Sequence, residues 1–129
     1  MYSTESRILI VDDAPAVRES LSWLLEDESG LTVSGTASNG SEAVDQTTQQ
    51  KPDLVILDIE LPDTDGFIVT RQLKSLPHPP LVVLLSVHGD TASRQRGTDA
   101  GCDAFVEKAT GWPALLNVLK TILANKSRI

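Results

Sequence analysis

At 129 residues, with 40% apolar and 22% charged positions, the chain has the size and composition of one globular domain that builds its core without metal or disulfide staples. A formal net charge of −7 argues against nucleic-acid binding through this domain, which would need a basic face. One cysteine, Cys102, leaves no intramolecular disulfide, which fits a reducing cytoplasm; Met1 to Ser6 is short and polar, unlike a signal segment, and no apolar run approaches the ~20 residues of a membrane span.

Short apolar strands alternate with helical segments along the whole chain. The first strand is expected at Arg7–Val11, where Ile8-Leu9-Ile10-Val11 is continuously apolar. A helix follows from about Pro15 to Glu26. Val17, Leu21, Leu24 and Leu25 form its apolar stripe, and Pro15 sits where a missing N–H costs nothing. Leu31–Ala37 alternates apolar and polar residues, the pattern of a strand near a sheet edge. The second helix starts near Ser41, after Asn39-Gly40, and ends by Pro52. Leu54–Leu57 and Leu81–Leu85 are again unbroken apolar runs, suited to strands covered on both faces. Between them a helix runs from about Gly66 to Ser75 and stops before Pro77-His78-Pro79-Pro80. A fourth helix spans about Thr91 to Ala100 and ends at Gly101. The last strand is Ala104–Val106. The last helix runs from about Trp112 to Ala124, with Leu115, Leu116, Leu119, Ile122 and Leu123 buried; the tail Asn125–Ile129 is expected to fray.

Five βα units with right-handed crossovers give one α/β domain, helices on both faces of a parallel sheet. The domain is expected over residues 1–129, with a structured core over about 6–124. In such sheets ligands bind outside the carboxyl ends of the strands. Those ends carry Asp12 and Asp13 after the first run, Asp58 after the third, Ser86 after the fourth and Lys108 just past the fifth. Taken singly, each has a bland reading: Asp13 as a helix cap, Asp58 and Ser86 as turn formers, Lys108 as a solvated cation. Their convergence on one edge points to chemistry. Clustered carboxylates repel one another, and a divalent cation relieves the repulsion. All-oxygen ligation suits Mg²⁺; one cysteine and two scattered histidines do not suit zinc. A cation, an ammonium and a hydroxyl would neutralise an incoming phosphoryl group, and a carboxylate is a competent nucleophile toward it.

The set Ile8-Leu9-Ile10-Val11-Asp12-Asp13, Asp53-Leu54-Val55-Ile56-Leu57-Asp58, Leu61-Pro62-Asp63-Thr64-Asp65-Gly66, Leu84-Leu85-Ser86 and Ala100-Gly101-Cys102-Asp103-Ala104-Phe105-Val106-Glu107-Lys108 resembles a response-regulator receiver domain over essentially the whole chain. The resemblance implies a flavodoxin-like (βα)5 three-layer sandwich with sheet order 2-1-3-4-5. It implies a phosphorelay switch: Asp58 as phosphoacceptor, and Asp12, Asp13, Asp58 and the Glu60 backbone carbonyl as Mg²⁺ ligands. Ser86 is implied as the switch hydroxyl, Lys108 as the partner of the phosphoryl oxygens and Phe105 as the aromatic that turns with the switch. The implied phosphodonor is a sensor histidine kinase or a histidine phosphotransfer protein. The implied location is the cytoplasm, without membrane or direct nucleic-acid contact. The output is a changed face over helix four, strand five and helix five, which also suits a phosphorylation-linked homodimer. Ser86-Val87 and Phe105-Val106-Glu107-Lys108 lean toward the branch that carries helix-turn-helix output domains.

Two departures stand out. Val87 is branched where many relatives have Ala or Gly, which narrows access to the phosphoryl site, and Ala109 replaces the proline that often follows the lysine. Trp23 lies off its helix stripe, as a partly exposed aromatic or a docking contact. Cys102 reads as a packing residue, His78 as a loop residue, and His88 as a neighbour of Ser86. Two other classes fit less well. An aspartate-nucleophile phosphohydrolase needs an acid two residues after the nucleophile, which Glu60 supplies, and also a cap, for which the loops are too short. A flavin protein needs a hydroxyl- and glycine-rich phosphate loop where Asp12-Asp13 stands.

Overall fold

The computed structural model describes residues 5–126. Five parallel strands form one sheet: β1 (Ser6–Val11), β2 (Leu31–Ala37), β3 (Leu54–Asp58), β4 (Leu81–Ser86) and β5 (Ala104–Glu107). Their order is β2-β1-β3-β4-β5, so the alternating strand β2 lies at an edge. The helices are α1 (Pro15–Glu26), α2 (Gly40–Gln50), α3 (Gly66–Lys74), α4 (Thr91–Ala100) and α5 (Gly111–Lys126), with a single 3-10 turn, Lys108–Thr110, before the last.

The period-two geometry of strands divides the apolar residues between two layers. Ile8, Ile10, Leu54, Ile56, Val83, Leu85 and Val106 pack against Leu25 of α1 and Leu115, Leu119 and Leu123 of α5. Their alternates Leu9, Val11, Val55, Leu57, Val82 and Leu84 pack against Ala43 of α2, Phe67, Val69 and Leu73 of α3, and Ala100 of α4. Both faces of the central strands are therefore dry, which is why those strands read as unbroken apolar runs.

The departures from expectation are local. Leu24 is 37% exposed rather than part of the α1 stripe. Leu21 and Leu25 face the sheet, and Leu24 sits about 100° around the helix from Leu25. Helix α5 runs through Asn125 and Lys126, past the expected start of fraying. The rest of that tail, and Met1 to Thr4 of the polar start, lie outside the described residues. Among the described residues no helix is long and apolar enough to cross a membrane.

Candidate functional site

The carboxyl ends of β1, β3 and β4 and the turn after β5 meet at one edge of the sheet. Asp12 follows β1, and Asp58 and Ser86 are the last residues of β3 and β4; these three are almost wholly buried, while Asp13 is exposed at the rim. Lys108 opens the 3-10 turn, and its ammonium reaches across the edge to Asp58 Oδ2 at 3.0 Å and Asp12 Oδ2 at 3.3 Å. One carboxylate oxygen each from Asp12, Asp13 and Asp58 lie within 4.8 Å of one another.

Backbone donors fix the remaining oxygens. Asp12 Oδ1 accepts the Ala14 N–H at 2.9 Å, and Asp58 Oδ1 accepts the Glu60 N–H at 3.2 Å. Helix α1 begins behind Ala14 with no side-chain cap, so Asp13 is not the cap that its position suggests. The Glu60 side chain is exposed; its backbone pairs with Asp65 and ties down the loop after β3. Gly66 closes that loop by steric necessity. A Cβ there would lie 2.7 Å from the Ile59 Cα and 2.8 Å from the Asp58 carbonyl oxygen, so only glycine lets α3 start this close to Asp58.

The electrostatics follow from burial and proximity. Burial, reinforced by the Asp12 charge, holds the Asp58 carboxyl above its ordinary range even though Lys108 and the Glu60 N–H favour its ionised form. Burial alone would lower the Lys108 ammonium. The hydrogen bond and charge of Asp58, together with Asp12, outweigh that and raise it above the usual lysine value. Lys108 is thus a firm cation among crowded carboxylates, not a solvated surface lysine.

Ser86 Oγ accepts the His88 N–H at 3.0 Å, a small turn at the mouth of the pocket. Val87 beside it is 58% exposed, and His88 is exposed as well. Phe105 is not in the pocket. It is partly buried against the α2–α4 layer, with the Arg94 guanidinium over its ring at 5.0 Å. Cys102 is half-buried and burial pushes its thiol up, in keeping with a packing role. Trp23 is 81% exposed and borders a shallow hollow of about 510 Å³ with Ala16, Glu19, Ser20 and Leu24.

Two contributors have roles that the motifs do not record. Arg18 donates from Nη1 to the Asp12 carbonyl at 2.7 Å, pinning the turn that carries Asp12 and Asp13. Asp63 accepts the Gly40 and Ser41 N–H groups at 2.8 and 3.0 Å, joining the loop after β3 to the start of α2. The only local hint of Arg18 is its place one turn into the helix that follows the acidic pair.

A hard divalent cation fits this donor set. The oxygens are carboxylate, mutually close and on the rim side open through Asp13, the chemistry such ions select.

The family model of the response regulator receiver domain matches residues 8–120. The chain belongs to that family. It is 38% identical over 125 residues to Response regulator Rre1 of Synechocystis sp., covering 92% of this chain and 52% of that protein. Among solved structures it is similar to a two-component response regulator of the LuxR family from Aurantimonas sp. SI85-9A1, with a TM-score of 0.87, 30% identity and 94% and 86% of the two chains covered. It is also similar to a CheY-like response regulator receiver domain protein from Methanospirillum hungatei, with a TM-score of 0.88, 27% identity and coverage of 96% and 98%. The chain spans about half the length of the curated relatives it matches. As a receiver domain it is a signalling module of two-component regulation, with the fold that the motifs implied.

Proposed function

We propose that Asp58 is the phosphoacceptor of this switch and that the acidic edge is its reaction site. The observation that carries the reading is the buried Asp58 carboxylate held by Lys108 at 3.0 Å beside Asp12 and Asp13. An unshielded buried carboxylate among like charges is costly; here the cost is met by an arrangement that also suits a phosphoryl group. One Asp58 oxygen attacks the phosphorus of a phosphohistidine on a sensor kinase or phosphotransfer protein. The O–P bond forms as the P–N bond breaks, and the imidazole leaves with the electron pair.

Asp12, Asp13, Asp58 and the Glu60 carbonyl are the groups that would hold Mg²⁺, which when bound supplies charge neutralisation for the phosphoryl oxygens. Lys108 needs little movement to turn from the carboxylates to those oxygens. Ser86 exchanges its His88 N–H bond for a hydrogen bond donated to the new group, which brings roughly −1.5 to −2 charge. The loop after β4 then moves, and Phe105 turns with it. The two arrangements are states whose populations phosphorylation shifts, and the altered face of α4, β5 and α5 is what an output domain, another protein or a second copy reads. A cytoplasmic setting accords with this role.

Incubation with acetyl phosphate and Mg²⁺, followed by intact-mass measurement, tests the assignment. The unaltered chain should gain one phosphoryl group and Asp58→Asn none. Labelling that persists in Asp58→Asn would reject Asp58 as the acceptor.

A further inference from the structure

Helix α4 is capped at both ends, by Asp90 and Gly101, but has little apolar surface to bury. Of its residues only Gly97 and Ala100 are buried, and neither offers much apolar surface. What it has instead is Arg94, whose guanidinium is shared among three pieces of the molecule. Nε donates to the Gly89 carbonyl at 3.1 Å in the loop after β4. Nη2 pairs with Glu107 Oε1 at 3.0 Å on β5, and Nη1 reaches the Phe105 carbonyl at 3.5 Å. The same group stacks over the Phe105 ring at 5.0 Å.

The surrounding backbone is shaped to this clasp. A Cβ at Gly89 would fall 1.9 Å from Glu107 Oε1, and one at Gly97 would fall 3.1 Å from Phe105 Cδ2. Small residues at both places let the loop, β5 and α4 close on one guanidinium. The planar fork matters, because lysine could serve the carboxylate but not the two carbonyls and the ring together.

We infer that Arg94 is a positioning residue that latches Phe105 and the loop after β4 in the resting arrangement, and that releasing this latch is the work phosphorylation must do. The inference rests on the phosphoacceptor reading above. Its direction follows from connectivity. Ser86 Oγ is tied to His88 N, and His88 adjoins Gly89. When Ser86 turns toward a phosphoryl group it gives up that bond, which frees the loop and with it the Gly89 carbonyl from Arg94. Any turn of Phe105 takes its ring out from under the guanidinium. Both movements therefore break contacts of one side chain, which couples them. A group that stabilises only the resting state weakens the apparent affinity of any ligand that needs the other state.

The test is calorimetric titration of the full chain with beryllofluoride and Mg²⁺, a phosphoryl mimic that needs no turnover. Arg94→Ala should bind about three- to tenfold more tightly than the unaltered chain, a range set by one exposed ion pair and one cation–π contact. Arg94→Lys, which keeps a cation for Glu107, should lie between the two and serves alone if Arg94→Ala does not fold. A merely structural role would lower the melting temperature and leave the affinity unchanged or weaker, and that result in the folded variant overturns the latch. Failure of the unaltered chain to bind beryllofluoride would reject the phosphoacceptor reading itself, and the latch with it.

Discussion

Helices α3 and α4 lie side by side on the same face of the sheet and have nearly the same length, yet they are held by different forces. Helix α3 buries Gly66, Phe67, Val69, Thr70 and Leu73 and is capped by Asp65, which accepts the Ile68 N–H at 3.0 Å. Helix α4 has a cap of the same kind, Asp90 accepting the Ser93 N–H at 3.1 Å, but buries only Gly97 and Ala100; it leans on Arg94 and on Arg96, whose guanidinium lies 4.2 Å from the Phe67 ring centroid. Apolar burial gives kilocalories that water cannot replace. Exposed ion pairs and cation–π contacts give fractions that rearrange easily. The helix beside Asp58 is thereby anchored by its core contacts, whereas the helix beyond Ser86 is held by contacts of the kind found in segments at the low end of local stability, which is where the switch proposed above places the movement.

Substitution in the static helix should have the largest effect. Leu73 is fully buried, and Leu73→Ala should cost about 2–5 kcal/mol of unfolding free energy, read from urea denaturation. A loss close to the 0.2–1 kcal/mol typical of an exposed ion pair, such as Arg94–Glu107, would erase the contrast between the helices.

A smaller effect is expected where the loop after β3 meets α2. The Gly40 and Ser41 N–H groups hold the Asp63 carboxyl below its ordinary range. A lowered folded value means that the stabilisation is present above the unfolded value of about 3.9 and is lost as pH falls through the folded one. Asp63→Asn should therefore be modestly less stable than the unaltered chain at pH 7, with the difference shrinking below about pH 3.9. Melting curves at both pH values check this; a difference that grows in acid would contradict it.

Much of this is legible in the amino-acid sequence. The strands read as apolar runs because β1, β3 and β4 are covered on both faces, and β2 read as an edge because it alternates. Asp12, Asp13, Asp58, Ser86 and Lys108 could be gathered because a parallel sheet puts all strand ends on one side. What could not be read depends on contacts far apart in the chain. Asp63 meets Gly40 across 23 residues and Arg94 meets Glu107 across 13, and no local pattern records either. Leu24 departs from the expected stripe for a different reason: helical periodicity marks a stripe, but its edge is set by how the helix sits on the sheet.

The central claim is that a change at Asp58 is felt in α4 and the loop after β4 while α3 holds still. Amide hydrogen exchange of the full chain, with and without beryllofluoride and Mg²⁺, tests it most directly. The account predicts that residues 87–100 change their protection markedly on binding while α3, Gly66–Lys74, keeps its own. Protection changes of equal size in both helices, or none in α4, would contradict it.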